Sequence, residues 1–349
     1  MGSNTNKRKS AKRGILIALV VFLSIVLAVL LVATVFASRL LNSINQVSEQ
    51  ETMSQEQIEE ILNEETEPID PDYTGEIISS EDLNLPDSPV QTVETGDDVV
   101  NILLVGQDTK DLSRRSRSDS MILCTINKST GKLTMTSFMR DTYVTIPDFY
   151  NQRLNVAYVV GGFDALYNTL EHNFGVKVDH GIAVNFASFQ KVIEAVGAID
   201  IELTAAEADH LNAKSGWGLR EGINSLDGEK ALAYSRIRKL QGGDFNRTNR
   251  QRTVMMALLN KAKAMPITEL YNLVEALIPL VVTDMNNTEI ITTVMDLAPL
   301  LQNLEIVSQR IPTDDGYYMT MVDGMSVLIP DLEVNRQFLV DTIGTKEKE

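Results

Sequence analysis

Residues 14–37 are 24 consecutive residues without a charge, rich in Leu, Val, Ile and Ala. As a helix the run is about 36 Å long, enough to cross a hydrocarbon core of ~30 Å with some tilt. It therefore sets the topology before any fold is considered. Lys7, Arg8, Lys9, Lys12 and Arg13 precede it without a compensating acid. The pattern predicts a cytoplasmic basic tail over 1–13, a transmembrane anchor over 14–37 and everything beyond on the outer side of the membrane. A cleaved signal peptide is the rival, since Val35-Phe-Ala37 resembles a cleavage site. Signal-peptide apolar cores are shorter, about 7–15 residues, so a retained anchor is preferred.

The formal charge of −17 is unevenly distributed. Residues 49–98 carry 17 acids and no base, whereas 99–349 carry 25 bases and 31 acids. Any basic cluster in the second stretch thus sits in a nearly balanced domain behind an acidic segment that would repel DNA, and nucleic-acid binding is not expected. Residues 38–97 read as an extracytoplasmic stalk and linker. A short helix is expected within 43–63, and an acidic, Pro-bearing spacer from 64 to 98. Cys124 is the sole cysteine, which excludes an internal disulfide, and its apolar surroundings read as core.

From 98 to 345 apolar patterning predicts a folded domain. Strands are expected at 99–106, 119–127, 132–139, 182–186 and 199–203, with a pair at 305–311 and 317–322. Helices are expected at 163–173, 189–196, 225–234, 246–264, 268–281, 288–301 and 332–343. Strands alternating with helices predict an α/β sandwich with a mixed sheet.

The most chemically pointed stretch is 236–252. Arg236 and Arg238 are two apart, so on extended backbone they share a face. Arg247 and Gln251 are four apart and stack on one face of a helix. Guanidinium forks converging from two elements suit a ligand with several anionic oxygens, a phosphate or pyrophosphate. Strand ends supply further charge: Asp108 after the first strand, Arg114, Arg115, Arg117 and Asp119 before the second, Arg140 and Asp141 after the third. Each alone is a solvated loop charge; together they outline a site for a phosphate-rich ligand with Mg²⁺. Asp119 and Asp244 are hard oxygen ligands for the metal, the arginines stabilise charge in phosphoryl transfer, and Asp108 is the candidate base. His172, His180 and His210 lack metal-ligand spacing, and neither a P-loop nor a dinucleotide fingerprint occurs. Leu258, Leu259, Leu270, Leu273, Val274, Leu277, Ile278 and Leu280 read first as core; lining a groove for a hydrocarbon chain is their functional alternative.

These residues fall in an ordered set of motifs: Leu104-Val-Gly-Gln-Asp108, Arg117-Ser-Asp-Ser-Met121, Ser137-Phe-Met-Arg-Asp-Thr142, Arg153-Leu-Asn-Val-Ala-Tyr158, Leu226-Asp-Gly-Glu-Lys-Ala-Leu-Ala-Tyr234, Arg236-Ile-Arg238, Asp244-Phe-Asn-Arg247 and Arg250-Gln251. Over about 98–264 the chain resembles the LytR-CpsA-Psr family of membrane-anchored cell-wall ligases, found mainly in Gram-positive bacteria. The resemblance implies a three-layer α/β/α domain outside the cell membrane, acting with Mg²⁺ (Mn²⁺ as the alternative). Such a domain moves a phosphoglycopolymer (teichoic acid, capsule or similar) from a polyprenyl-pyrophosphate carrier to a peptidoglycan hydroxyl. By motif position, Arg117, Arg140, Arg236, Arg238, Arg247 and Gln251 match phosphate-contacting residues. Asp119 and Asp244 match the metal-associated acids and Asp108 the proposed base or acid, with Arg117, Arg236 and Arg238 also counted as catalytic. Gln107 and Ala198 depart from the family pattern. A pyrophosphate hydrolase, transfer to a surface protein, and a non-enzymatic carrier-binding or regulatory protein are the alternatives on the same site.

Overall fold

The computed structural model describes residues 45–46, 53–63, 77–83, 85–86, 88–109, 114–238, 240 and 243–345. The expected basic tail and anchor lie outside these residues, and among the described residues no helix is long and apolar enough to cross a membrane. The first half holds β1 (Asn45–Gln46), α1 (Gln55–Asn63), β2 (Ile77–Ile78), β3 (Val99–Gln107), β4 (Ser118–Asn127), β5 (Lys132–Phe138), β6 (Tyr143–Val144), β7 (Gln152–Arg153), α2 (Ala157–Phe174) and β8 (His180–Asn185). Then come α3 (Phe186–Val196), β9 (Ile199–Leu203), α4 (Ala205–Ser215), β10 (Gly222–Leu226), α5 (Gly228–Ser235), α6 (Gly243–Lys263) and α7 (Ile267–Leu277). The chain closes with β11 (Val282–Thr283), α8 (Asn287–Leu297), β12 (Glu305–Ile311), β13 (Tyr317–Val322), β14 (Met325–Pro330) and α9 (Leu332–Ile343).

Seven strands form a mixed sheet in the order β1-β11-β8-β3-β4-β5-β12. Strands β3, β5, β8 and β12 run one way, and β4 runs antiparallel between β3 and β5. Strand β4 reads as a nearly unbroken apolar run because helices cover both sheet faces. Leu103, Val105, Leu123 and Phe138 face one side, with Leu166 and Leu170 of α2 and Leu339 of α9. Ile102, Cys124, Ile126 and Met135 face the other, against Met255 and Leu259 of α6 and Leu297 of α8. A second core lies between the antiparallel β9–β10 pair, α3, α4, α5 and the middle of α6. This arrangement brings the carboxyl ends of β3, β5 and β8 to one edge together with the amino end of β4. Asp108, Asp119, Arg140 and Asn185 meet there.

Several expectations are revised. Strands β12 and β13 do not pair with each other: β12 adds parallel to β5, and β13 pairs with β14, which sequence patterning did not flag. Parts of the stretch read as a linker belong to the fold. Met53 and Val93 are buried, Ile77–Ile78 pairs parallel with β13, and Leu62 packs against the main core. A few well-spaced apolar residues outweigh the acidic composition because their neighbours stay in water. At the far end of this segment Val93 N donates to the carbonyl of Gly175 at 2.8 Å. Gly175 ends α2 with φ 71°, and a Cβ there would lie 2.3 Å from the Gln91 carbonyl oxygen, so the close approach requires glycine. Helix α4 was also missed, despite a Thr204/Glu207 capping box that holds its first turn.

Candidate active site at the head of an apolar cavity

A cavity of about 770 Å³ opens between one sheet face and the second core. Leu104, Ile122 and Ile182 line it from the sheet, Val192 and Val196 from α3, and Leu258, Leu259, Leu273 and Leu277 from α6 and α7. Of the apolar residues suggested for a hydrocarbon groove, those last four do line it; Leu270 and Ile278 are buried in packing instead. The wall is mostly carbon, but polar groups collect at the strand edge. Asp108, Asp119, Arg236, Arg238, Arg247 and Gln251 reach this cavity, whereas Arg117, Arg140 and Asp244 do not line it.

Helix α6 brings Arg247 and Gln251 to the cavity, one turn apart as their spacing requires. Arg247 is 2% exposed and pairs with Asp244 through Nη2, yet its Nε and Nη1 are buried with no hydrogen-bond partner among the described residues. Burial depresses its pKa, with Asp244 and Asp119 opposing that and Arg140 adding to it. Gln107, another residue of the cavity wall, fully buried at the end of β3, accepts from Ser116 N at 3.0 Å through Oε1 and leaves Nε2 without a partner among the described residues. Buried donors are almost always satisfied, and each orphan costs on the order of 1–3 kcal/mol. Arg247 and Gln107 thus bring three unmatched donors to the wall of one cavity, a lining that suits an anionic ligand.

The acids are arranged around Arg140. Its Nη1 donates to Asp119 Oδ1 at 2.8 Å, and its Nε lies 3.4 Å from Asp141 Oδ2 and 3.6 Å from Asp244 Oδ1. Arg153 pairs with Asp141 at 3.5 Å, and Arg238 reaches Asp119 Oδ2 at 3.3 Å. Burial acts to raise the pKa of Asp119, but Arg140, Arg247 and Arg238 outweigh it and hold the carboxyl below its ordinary range. Asp244 goes the other way: burial, aided by Asp141, raises its pKa despite Arg247 and Arg140. Its Oδ2 is buried without a hydrogen-bond partner among the described residues. An orphaned carboxylate oxygen under-supplied with positive charge fits a hard cation. Among the described residues no group of three or more acidic, His or Cys ligands exists. A cation here would take its protein oxygens from Asp119 and Asp244 and the rest from a ligand.

Arg236 and Arg238 leave α5 on a turn rather than a strand, but Ile237 between them is buried and both arginines are exposed, so they share a face as their spacing implies. The Arg236 guanidinium lies 4.2 Å from the centre of the Phe186 ring. Arg250 holds this turn from below: its Nε donates to Glu207 Oε1 at 2.7 Å and its Nη1 to the Ile237 carbonyl at 3.1 Å. Arg117 is engaged elsewhere. Its Nη2 donates to the carbonyls of Ile61 and Leu62 at 2.7 and 2.9 Å, where α1 ends and helical carbonyls lack partners of their own. Asp108 is exposed at the cavity rim, its backbone tied to Arg117 O and Ser116 Oγ.

Residues that sequence reasoning missed are Glu207, His210, Lys214, Asn185 and Phe186, together with Gln107, noted only as a departure. His210 and Lys214 line the cavity from α4. The capping-box spacing could have flagged Glu207; its pairing with a residue 43 positions away could not have been read.

The LytR_cpsA_psr family model matches residues 54–340. The chain belongs to the LytR-CpsA-Psr family. Within it, the polyisoprenyl-teichoic acid–peptidoglycan teichoic acid transferase TagU of Oceanobacillus iheyensis is 34% identical over 247 residues, 68% of this chain and 74% of the relative. Among solved structures, TagT bound to LI-WTA has a TM-score of 0.60 at 23% identity, covering 75% of this chain and 100% of that one. The YwtF (TagT) protein with bound octaprenyl pyrophosphate lipid has a TM-score of 0.56 at 23% identity, with the same coverage. At that identity the structural likeness speaks for the fold, a mixed α/β domain of the LytR-CpsA-Psr type.

Proposed function

We propose that this chain is a membrane-anchored phosphotransferase that moves a phosphoglycopolymer from a polyprenyl-pyrophosphate carrier to a hydroxyl of peptidoglycan. The carrying observation is the set of unmatched buried donors, Arg247 Nε and Nη1 and Gln107 Nε2, on residues that line a mostly apolar cavity. A pyrophosphate bearing a hydrocarbon chain matches both ends at once. The family, and the activity in the name of the Oceanobacillus relative, support the same reading.

In this reading Arg236, Arg238, Arg247 and Gln251 hold the two phosphates, and Arg140 fixes Asp119 and Asp244 beside them. Mg²⁺, or Mn²⁺ in its place, would be held by Asp119 and Asp244 and would neutralise charge on the phosphate oxygens. The acceptor hydroxyl oxygen bonds to the phosphorus that carries the glycopolymer, and the bond from that phosphorus to the bridging oxygen breaks. Polyprenyl phosphate leaves with the electron pair. Asp108, at the open rim, takes the hydroxyl proton. The arginines act on the charge spread over the phosphoryl oxygens as the bonds exchange, where fixed cations contribute most. Arg117 reaches phosphate only if it releases the α1 carbonyls.

The test uses the full chain in detergent with Mg²⁺, a polyprenyl-pyrophosphate-linked saccharide and soluble glycan acceptor. Release of polyprenyl phosphate should depend on the acceptor and fall at least about 100-fold in Arg236→Ala and in Arg238→Ala. Undiminished transfer in both variants would sink the assignment. Release without acceptor would make the enzyme a hydrolase, and tight carrier binding without turnover would make it a carrier-binding protein.

A further inference from the structure

The first turns of α6 carry chemistry on two faces. Asp244, Arg247 and Gln251 face the pyrophosphate side; Phe245, Asn249 and Arg252 lie roughly 140° around the helix at 3.6 residues per turn. On that second face is a separate groove of about 790 Å³, walled by these residues together with Gln309, Arg310, Asp314, Asp315 and Tyr317. The rings of Phe245 and Tyr317 lie 5.4 Å apart and tilted by 32°, and the Arg310 guanidinium sits 4.7 Å from the centre of the Phe245 ring. Arg252 donates to Asn249 Oδ1 through Nη2, while its Nη1 is buried without a partner among the described residues. Burial, together with the neighbouring Arg310 charge, lowers the Arg252 pKa to about 10.

Two aromatic rings edged by amides, carboxylates and guanidinium groups suit a pyranose chain. Its C–H faces pack on rings, its hydroxyls need donors and acceptors in one plane, and an occasional carboxylate would meet the guanidinium groups of Arg252 and Arg310 that wall the groove. Formal charge in the groove balances, Arg252 and Arg310 against Asp314 and Asp315. A polymer with a phosphodiester in every unit would find no net attraction there, whereas a sparsely charged glycan would.

We propose that this groove binds the acceptor, a polysaccharide strand that is neutral or sparsely carboxylated, and leads it past the first turn of α6 to the phosphates. The proposal rests on the transferase reading above and adds the acceptor's path to it. Groove and apolar cavity are lined by different faces of α6, so donor carrier and acceptor strand would not compete for space, and the reacting hydroxyl would pass the first turn of α6 to reach Asp108 at the cavity rim.

The test measures binding of chitotetraose, a lysozyme-released muramyl disaccharide and poly(glycerol phosphate) to the full chain by saturation-transfer NMR and calorimetry. The two glycans should bind, and Tyr317→Ala, Asn249→Ala and Arg252→Ala should each weaken them at least tenfold and raise the acceptor KM in transfer. Arg252→Ala should weaken the muramyl disaccharide more than chitotetraose. Asn249 is exposed, so its replacement gives a readout that does not depend on refolding of the groove. Unchanged glycan binding in all three variants, no glycan binding by the unsubstituted chain, or preference for poly(glycerol phosphate) would overturn the proposal. Farnesyl pyrophosphate binding is measured in parallel on the unsubstituted chain. Its absence alongside glycan binding would count against the transferase reading and leave the groove standing.

Discussion

Arg247 and Arg250 stand three residues apart on α6, and both are buried, at 2% and 7% exposure. Their surroundings differ in one respect. Arg250 has a carboxylate at 2.7 Å and a backbone carbonyl at 3.1 Å, whereas Arg247 has one carboxylate and two nitrogens left over. The first is a strut joining α4, α6 and the Arg236–Arg238 turn. The second is a charge held in readiness at the head of an apolar cavity. Burial alone therefore does not tell a structural arginine from a binding one; unmatched donors together with a place on the cavity wall set Arg247 apart.

The difference predicts opposite responses. Replacing Glu207 with Ala leaves Arg250 charged in the interior with only the Ile237 carbonyl, and unfolding stability in urea should fall by about 3–5 kcal/mol. Pairing that change with Arg250→Met should recover most of the loss, because the desolvated charge goes with it. Arg247→Met should act mainly on transfer. Transfer should drop about 10²–10³-fold, as when an electrostatic donor is removed from a transition state, while stability falls by less than in Glu207→Ala, because Asp244 loses Arg247 but keeps Arg140 at 3.6 Å and is the acid that most readily takes up a proton. A stability loss as large as that of Glu207→Ala would place Arg247 among the struts and erase the contrast.

The two acids sharpen the comparison through pH. Asp119 is held below its unfolded pKa, so its ionised form stabilises the fold above that value, and the contribution is lost as pH falls through the folded pKa. Asp244 is held above its unfolded pKa, so it disfavours the fold as pH rises through the folded value. Asp119→Asn should lower stability at pH 7, with the deficit closing in acid; Asp244→Asn should raise it at pH 7, with the gain closing in acid. Denaturant melts from pH 3 to 8 distinguish these, and the same sign for both variants would contradict the charge arrangement. The smallest effect belongs to Phe186→Leu. Loss of the ring under Arg236 removes about 0.5–1 kcal/mol, a two- to fivefold rise in donor KM.

Much of this was legible from sequence because it is local. Strand and helix patterning, the shared face of Arg236 and Arg238, and the one-turn spacing of Arg247 and Gln251 depend only on neighbours along the chain. The gathering of Asp108, Asp119 and Arg140 at one sheet edge followed from strand ends. What was not legible depends on distant partners. The employment of Arg117 by α1, the Glu207–Arg250 strut and the anchoring of the acidic segment on α2 involve residues 43 or more positions apart. Strand β14 and helix α4 were missed for other reasons: the largely exposed faces of α4 dilute its apolar period, and β14 is a short, mostly buried apolar run with no alternation to read.

The central claim is that Arg247 seats a pyrophosphate. Calorimetric titration of farnesyl pyrophosphate, farnesyl phosphate and farnesol into the full chain and into Arg247→Met tests it most directly. The account predicts affinity in that order for the unsubstituted protein, and a loss of roughly 100-fold for the pyrophosphate in the variant, at about 1.4 kcal/mol per tenfold, with farnesol unaffected. Equal pyrophosphate affinity in the two proteins would contradict it.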